Sequence, residues 1–350
     1  MKNELDINIY ALDAYKKDEE ANLIFEIKNI SNQVVQILKW NTPLEGIISP
    51  CLIVKSGNKV IPYDGMMVKR GKPGKEDFMT LEPDQSVSNR IDLSRAYDLK
   101  GHENIKVNFD PKAFSYFPDR SLTRALEEAV AATHPLDTYK TFQLSIKPAT
   151  FKIAGGRTFR QTEGAFHRSQ DQKKSRNGLR SKKAASGGLR ACTFNGGTAG
   201  QQSQAGDAHN NGYALATVAL ATIANDPTYN MWFGSYSGNR PGTVTGNFQK
   251  IVDNMETKSF QYDLTGEGCP SGAYGYTYKD STTVWFCSAF WTAPDNGTDS
   301  KAGTVVHEHS HASAGTDDLA YGQTNCRDLA SSDPDSAIKN ADNQEYFSGG

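Results

Sequence analysis

The 350-residue chain contains no run of 18 apolar residues, which excludes a membrane-spanning helix on length alone. Its first twenty residues, MKNELDINIYALDAYKKDEE, lack the apolar core a secretory leader needs, so no signal peptide is expected in them. No Cys-x-x-Cys occurs among the five cysteines, which removes the Cys-rich tetrahedral zinc sites. Charge of one sign is also missing. The net is −2, too small to mark the whole chain as a binder of nucleic acid or membrane. Histidine is scarce, at seven, and the placing of those seven carries most of the functional reading.

The small net charge conceals two opposite halves. From Ala191 onward there are 7 Lys+Arg against 17 Asp+Glu, which leaves 31 against 23 before that point. A basic first half could cover an acidic second half in cis, as an inhibitory propeptide would. Part of the basic excess sits in one stretch: residues 168–190 hold eight Lys+Arg, one Asp and almost nothing apolar. Such a run cannot bury enough surface to order itself, and it reads as a processing linker.

Three of the seven histidines fall in DSKAGTVVHEHSHASAGTDDLAYG, residues 299–322. If residues 302–312 are helical, His307 and His311 lie about 40° apart around the axis and point from one face at one ion. His309, about 200° from His307, reads as a flanking residue. Zinc takes imidazole nitrogen readily, and a catalytic zinc keeps three protein ligands plus a water. Glu308, beside a ligand, is placed to take the proton from that water. Gly315 breaks the helix and brings back Asp317 and Asp318, either of which could complete the ligand set.

HExxH followed by GTxDxxYG resembles the aspzincin metalloendopeptidases: the deuterolysins, the fungal peptidyl-lysine metalloendopeptidases and their secreted bacterial homologues, some of which act as toxins. The likeness continues through MWFGSY (231–236), FCSAFWTAPDNGTDSKAGT (286–304) and NADNQEYF (340–347). It implies one Zn2+ per chain, held by His307, His311 and Asp318 rather than Asp317. Glu308 would be the general base, and Tyr321 would stabilise the transition state. Asp342 and Glu345, three apart and so on one helix face, would line a pocket for a lysine after the scissile bond. Cys269 would bridge to Cys287 as in the fungal enzymes. Cys192 is then expected to pair with Cys326, leaving Cys51 as a free, buried small hydrophobe.

Taken in order, residues 1–166 read as β structure. Leu23, Phe25 and Ile27 alternate with Ile24, Glu26 and Lys28; Phe142, Leu144 and Ile146 alternate with polar neighbours; residues 51–54 and 59–61 flank the turn signal Ser56-Gly57-Asn58. A sandwich is expected, and the bacterial homologues imply an immunoglobulin-like one that serves as propeptide. A short helix is expected at 121–132. Residues 167–190 form the basic linker, and residues 191–350 the zinc endopeptidase domain. That last part reads as α-rich with little sheet: helices at 209–225, 245–255 and 331–340, the zinc helix, and a hairpin-like pair at 272–278 and 282–286. His209 receives no role.

The expected protein is therefore multidomain, an N-terminal all-β immunoglobulin-like sandwich prodomain joined to a C-terminal α-rich zincin-like metallopeptidase domain. It would be a secreted, monomeric zymogen acting on protein or peptide substrates, with its own propeptide as intramolecular inhibitor and no nucleic-acid or membrane partner. The alternative is a non-catalytic secreted zinc-containing module with an immunoglobulin-like binding domain. An intact Glu308 argues against it, because a structural zinc site needs no base and closes its fourth position.

Overall fold

Period-two alternation becomes strand where it was read. Along Asn22–Asn29, Leu23, Phe25 and Ile27 are fully buried while Ile24, Glu26 and Lys28 are only partly so. The computed structural model describes residues 4–12, 20–111, 114, 116–118, 144–153, 158–178 and 189–350. The helix expected at 121–132 lies outside them, as does Phe142. Two compact units divide the chain: residues 1–66 with 73–165, and residues 67–72 with 166–350.

The first unit is built of sheets. Leu5–Ala11 pairs antiparallel with Asn22–Asn29 and parallel with Leu144–Lys147, and Ser86–Asp92 closes this four-stranded sheet. A second four-stranded sheet centres on Leu52–Ser56 and Asn104–Phe109, with the expected hairpin at Ser56↔Lys59. Gly57 sits at φ +57, the left-handed conformation the tight turn requires. Val35–Leu38 centres a three-stranded sheet. Phe25 and Phe109 meet at 5.3 Å between ring centres in the common core. Cys51 is free and buried there, its thiol pushed up to about 12 by desolvation.

The second unit holds more sheet than its sequence suggests. Five strands run in the order Thr193–Asn195, Gln261–Asp263, Thr283–Phe286, Ala273–Thr277, Met67–Arg70. The first three are parallel, and the last two pair antiparallel. Two strands are three residues long, too short for any periodicity to register, and the edge strand comes from far upstream. Helices are longer than expected: Ala199–Thr222, started by a Thr198–Gln201 capping box, and Arg240–Thr257. The segment expected as one helix at 331–340 is broken, because Asp333 and Pro334 end Gln323–Ser332 and begin the short Pro334–Ala337.

Two expectations need correction. The linker does not begin at 167: a helix spans Glu163–Gly178. It is ordered by side-chain docking and not by an apolar stripe. Asp171 accepts from Ser281 Oγ, Thr282 N and Thr283 Oγ1, each at 2.8 Å, and the His167 ring stacks on Tyr278 at 4.5 Å. The cysteines also differ in part. Cys269 is bonded to Cys287, but Cys192 and Cys326 are both free. Cys326 is enclosed, with Sγ against Ala320 O at 3.6 Å and Asn340 Nδ2 at 3.5 Å, so its surroundings are filled by the returning loop and not by Cys192.

The zinc helix, Lys301–His309, is buried at all nine positions and capped by Ser300 Oγ accepting from Gly303 N at 2.9 Å. Its seat against Ala199–Thr222 depends on Gly212, where a Cβ would stand 2.6 Å from Val305 Cγ1. Gly246, inside Arg240–Thr257, has nothing within 4 Å of a Cβ. Gly212→Ala is therefore expected to lower unfolding stability by about 1–3 kcal/mol through overpacking. Gly246→Ala should raise it by roughly 0.5–1 kcal/mol. Denaturant midpoints of the two variants check the opposite signs.

Candidate active site

The helix carrying His307 widens into a π-helical turn at Ser310–Ala314 and ends on Gly315 in the left-handed conformation, φ +74. His307 and His311 therefore present Nε2 atoms 3.1 Å apart. The chain then returns, and Asp318 Oδ1 lies 3.2 Å from each of them. Ligands about 2.0–2.1 Å from one tetrahedral ion stand roughly 3.3 Å apart, so these three atoms fit a zinc ion. All three residues are buried, and Asp318 Oδ1 has no hydrogen-bond partner. Burial alone would raise the Asp318 carboxyl, but the His311 and His307 rings hold it far below the usual carboxylate range. Asp317 faces elsewhere and pairs with Lys279.

Each imidazole is oriented from behind. His311 Nδ1 lies 2.9 Å from the Thr316 carbonyl, and His307 Nδ1 lies 2.8 Å from Asp342 Oδ1. Such partners fix the tautomer that leaves Nε2 free for metal. The NADNQEYF segment is largely scaffolding for this arrangement. Asn340 Oδ1 accepts from Leu319 N at 2.7 Å and Ala320 N at 3.1 Å, which pins the loop bearing Asp318. Asp342 Oδ2 accepts from Gly322 N at 2.8 Å. Glu308 is fully buried, and desolvation pushes its carboxyl up to about 8.

Beside the three ligands runs the edge strand Met67–Arg70. Its peptide groups meet the expected catalytic residues one by one. Val68 N donates to Asp318 Oδ2 at 2.9 Å, Tyr321 OH donates to Val68 O at 3.0 Å, and Lys69 N donates to Glu308 Oε1 at 3.3 Å. The Lys69 side chain is wholly buried. Its ammonium touches Glu345 Oε2, lies 3.3 Å from Asp299 Oδ1 and 3.7 Å from Asp342 Oδ1, and sits 5.4 Å from the Tyr274 ring centre. Burial would lower the Lys69 pKa, but these acids hold it well above the ordinary lysine value. Asp342 and Glu345 both face this one ammonium.

Sequence reading missed several of these groups. Lys69 sits in an unremarkable MMVKRG, and only its pairing with Ala273–Thr277 brings it to the site. Asp299 was part of the recognised stretch, but its role depends on Tyr346 OH, which donates to its Oδ1 at 3.0 Å. His309 and His209 are not idle. His309 Nε2, Tyr262 OH, His209 Nδ1, His209 Nε2 and the Arg190 carbonyl form a buried chain with contacts of 2.9, 2.8 and 3.0 Å. It ties the back of the zinc helix to the sheet and to residue 190.

Residues 219–349 match the family model described as lysine-specific metallo-endopeptidase, the aspzincins. An "Extracellular protease" of Aeromonas hydrophila is 31% identical over 98% of this chain and 91% of its own length. A "Peptidyl-Lys metalloendopeptidase" of Armillaria mellea is 30% identical with the same coverage of both chains. Among solved structures, a zinc peptidase from Grifola frondosa is 39% identical over 44% of this chain and 96% of its own, with a TM-score of 0.41. With relatives at this identity along nearly the whole of both chains, the protein belongs to the aspzincin family and is a zinc-dependent metalloendopeptidase.

Proposed function

We propose that the protein is a secreted, monomeric endopeptidase, made as a latent precursor, that cleaves proteins and peptides on the amino side of lysine. The observation carrying this reading is the set of contacts around Val68–Lys69: one peptide bond lies between Tyr321 and Glu308 while the following lysine ammonium rests on buried acids. Secretion is supported by the relative named as extracellular and by the Cys269–Cys287 bridge, which suits an oxidising compartment. Latency is supported by the opposed charge of the two halves, with residues before 191 as the propeptide, its β-rich part read as immunoglobulin-like.

His307, His311 and Asp318 would hold the zinc, which when bound supplies Lewis acidity toward a water and the substrate carbonyl. Glu308 takes the proton released as that water attacks. It then delivers the proton to the departing amine, since its Oε1 already faces an amide nitrogen at 3.3 Å. The Tyr321 hydroxyl donates to the carbonyl oxygen, where negative charge grows as the carbon becomes tetrahedral. Specificity follows from desolvation. An ammonium entering a dry pocket loses its hydration, and closely placed carboxylates make that loss tolerable, whereas an apolar side chain would leave them buried and unpaired. Asp342 acts twice, on the pocket and on the His307 ring.

Glu308→Gln is expected to lose at least about 10²-fold in turnover while keeping one zinc per chain by elemental analysis. His311→Ala should lose the metal itself. Near-wild-type turnover in zinc-loaded Glu308→Gln would remove Glu308 from the base role.

The acids should separate by readout. Asp299→Ala is expected to raise KM for lysine peptides about tenfold with kcat nearly unchanged, having lost binding alone. Asp342→Asn should also weaken zinc affinity, by roughly 10–100-fold, because it orients a ligand. Zinc titration against a chelator, run beside the kinetics, distinguishes the two patterns.

A further inference from the structure

We propose that residues 67–70 are an internal pseudosubstrate, and that Lys69 is the residue that keeps the precursor latent. The proposal rests on the lysine-directed reading above and adds how the site is regulated. It places latency in one occupied pocket.

Backbone register carries the first part. Met67–Arg70 adds to the sheet as an antiparallel edge strand, with Lys69 opposite Gly275, Val68 opposite Tyr276 and Met67 opposite Thr277. This is the way extended peptides dock on an open sheet edge, where main-chain bonds give affinity and alternate side chains give specificity. Gly275 matters to the fit. A Cβ there would stand 3.0 Å from Trp285 O and 3.3 Å from Glu308 Oε1, so a bare backbone leaves room where the strand passes the base.

Side-chain chemistry carries the second part. Lys69 is 0% exposed and meets Glu345, Asp299 and Asp342, with its amide on Glu308 and the preceding carbonyl on Tyr321. A structural lysine would need none of the catalytic groups, and a general plug would not need its carbonyl on Tyr321. Every group that would hold a substrate lysine is taken by this one. The occupancy is intramolecular, and a tethered ligand competes at an effective concentration on the order of millimolar. With micromolar intrinsic strength for residues 67–70, substrate binding is therefore weakened roughly a hundredfold or more. A cut within 168–190 does not by itself vacate the pocket; it turns the tether into a noncovalent hold, from which residues 67–70 can then dissociate.

Peptide binding to the full-length, zinc-loaded chain in a Glu308→Gln background, where no self-cleavage intrudes, tests this. The probes are two fluorescein-labelled hexapeptides, one with a central Val-Lys and one with Val-Leu, read by anisotropy. Lys69→Ala, and separately Lys69→Met in case alanine disturbs folding, should bind the Val-Lys probe at least tenfold more tightly than the parent. Lys72→Ala, an exposed neighbour, should match the parent. In the chain with Glu308 intact, Lys69→Met should hydrolyse the Val-Lys peptide while its mass remains at 38.3 kDa, before any linker cut. If both Lys69 variants prefer Val-Lys over Val-Leu yet bind no better than the parent, the pseudosubstrate is wrong and the lysine pocket stands. If neither probe is preferred by any variant, the lysine-directed reading itself has failed.

Discussion

Three electronegative atoms, His307 Nε2, His311 Nε2 and Asp318 Oδ1, stand within 3.2 Å of one another in a region closed to water. Lone pairs so close and so poorly solvated repel unless a cation lies among them. The rest of the second unit can be understood as the means of holding that point. The helix supplies two ligands, and the π-helical turn and Gly315 bring the chain back with the third. Asn340, the cap residue of the helix Ala341–Phe347, pins the returning loop. The zinc helix carries no solvent-facing side and is instead gripped all round: by Gly212 of the long helix, and by Tyr262 through His309. A metal-binding segment immobilised on every face pre-organises its ligands before metal arrives.

Beside this point lies a second electrostatic centre, and the two are joined by one side chain. Asp342 faces the His307 ring at 2.8 Å and the Lys69 ammonium at 3.7 Å. A carboxylate shared in this way links recognition of a basic side chain to the orientation of a metal ligand. Glu345 and Asp299 complete the acid group, and Tyr346 holds Asp299 in place. Asp318, Asp342 and Glu345 are all buried and could not all ionise there without positive partners, so the lysine and the metal each neutralise part of the same cluster.

Much of this was legible in the chain. His307, Glu308 and His311 form a local motif whose chemistry depends on helical spacing, and helical spacing can be read from sequence; Asp318, beyond the helix, was singled out from Asp317 only by the family resemblance. The hairpin at Gly57 and the alternation at Leu23, Phe25 and Ile27 were equally local. What could not be read was long-range. Nothing near Lys69 distinguishes it from any other strand lysine; its meaning comes from Gly275, Glu308 and Glu345, all far along the chain. The helix at Glu163–Gly178 failed for a related reason. Its composition is that of a solvated linker, and its order comes from Asp171 meeting Ser281, Thr282 and Thr283. The expected Cys192 to Cys326 bridge rested on parity of cysteines, which says nothing of distance.

On the function proposed above, the acid group beside the metal selects a substrate lysine immediately after the cleaved bond. Sequencing the new N-termini in a casein digest by the processed enzyme tests it most directly. The account predicts that lysine dominates those termini, and that the dominance disappears when Glu345→Gln and Asp299→Asn are combined. New termini spread across residue types in the wild-type digest would contradict it.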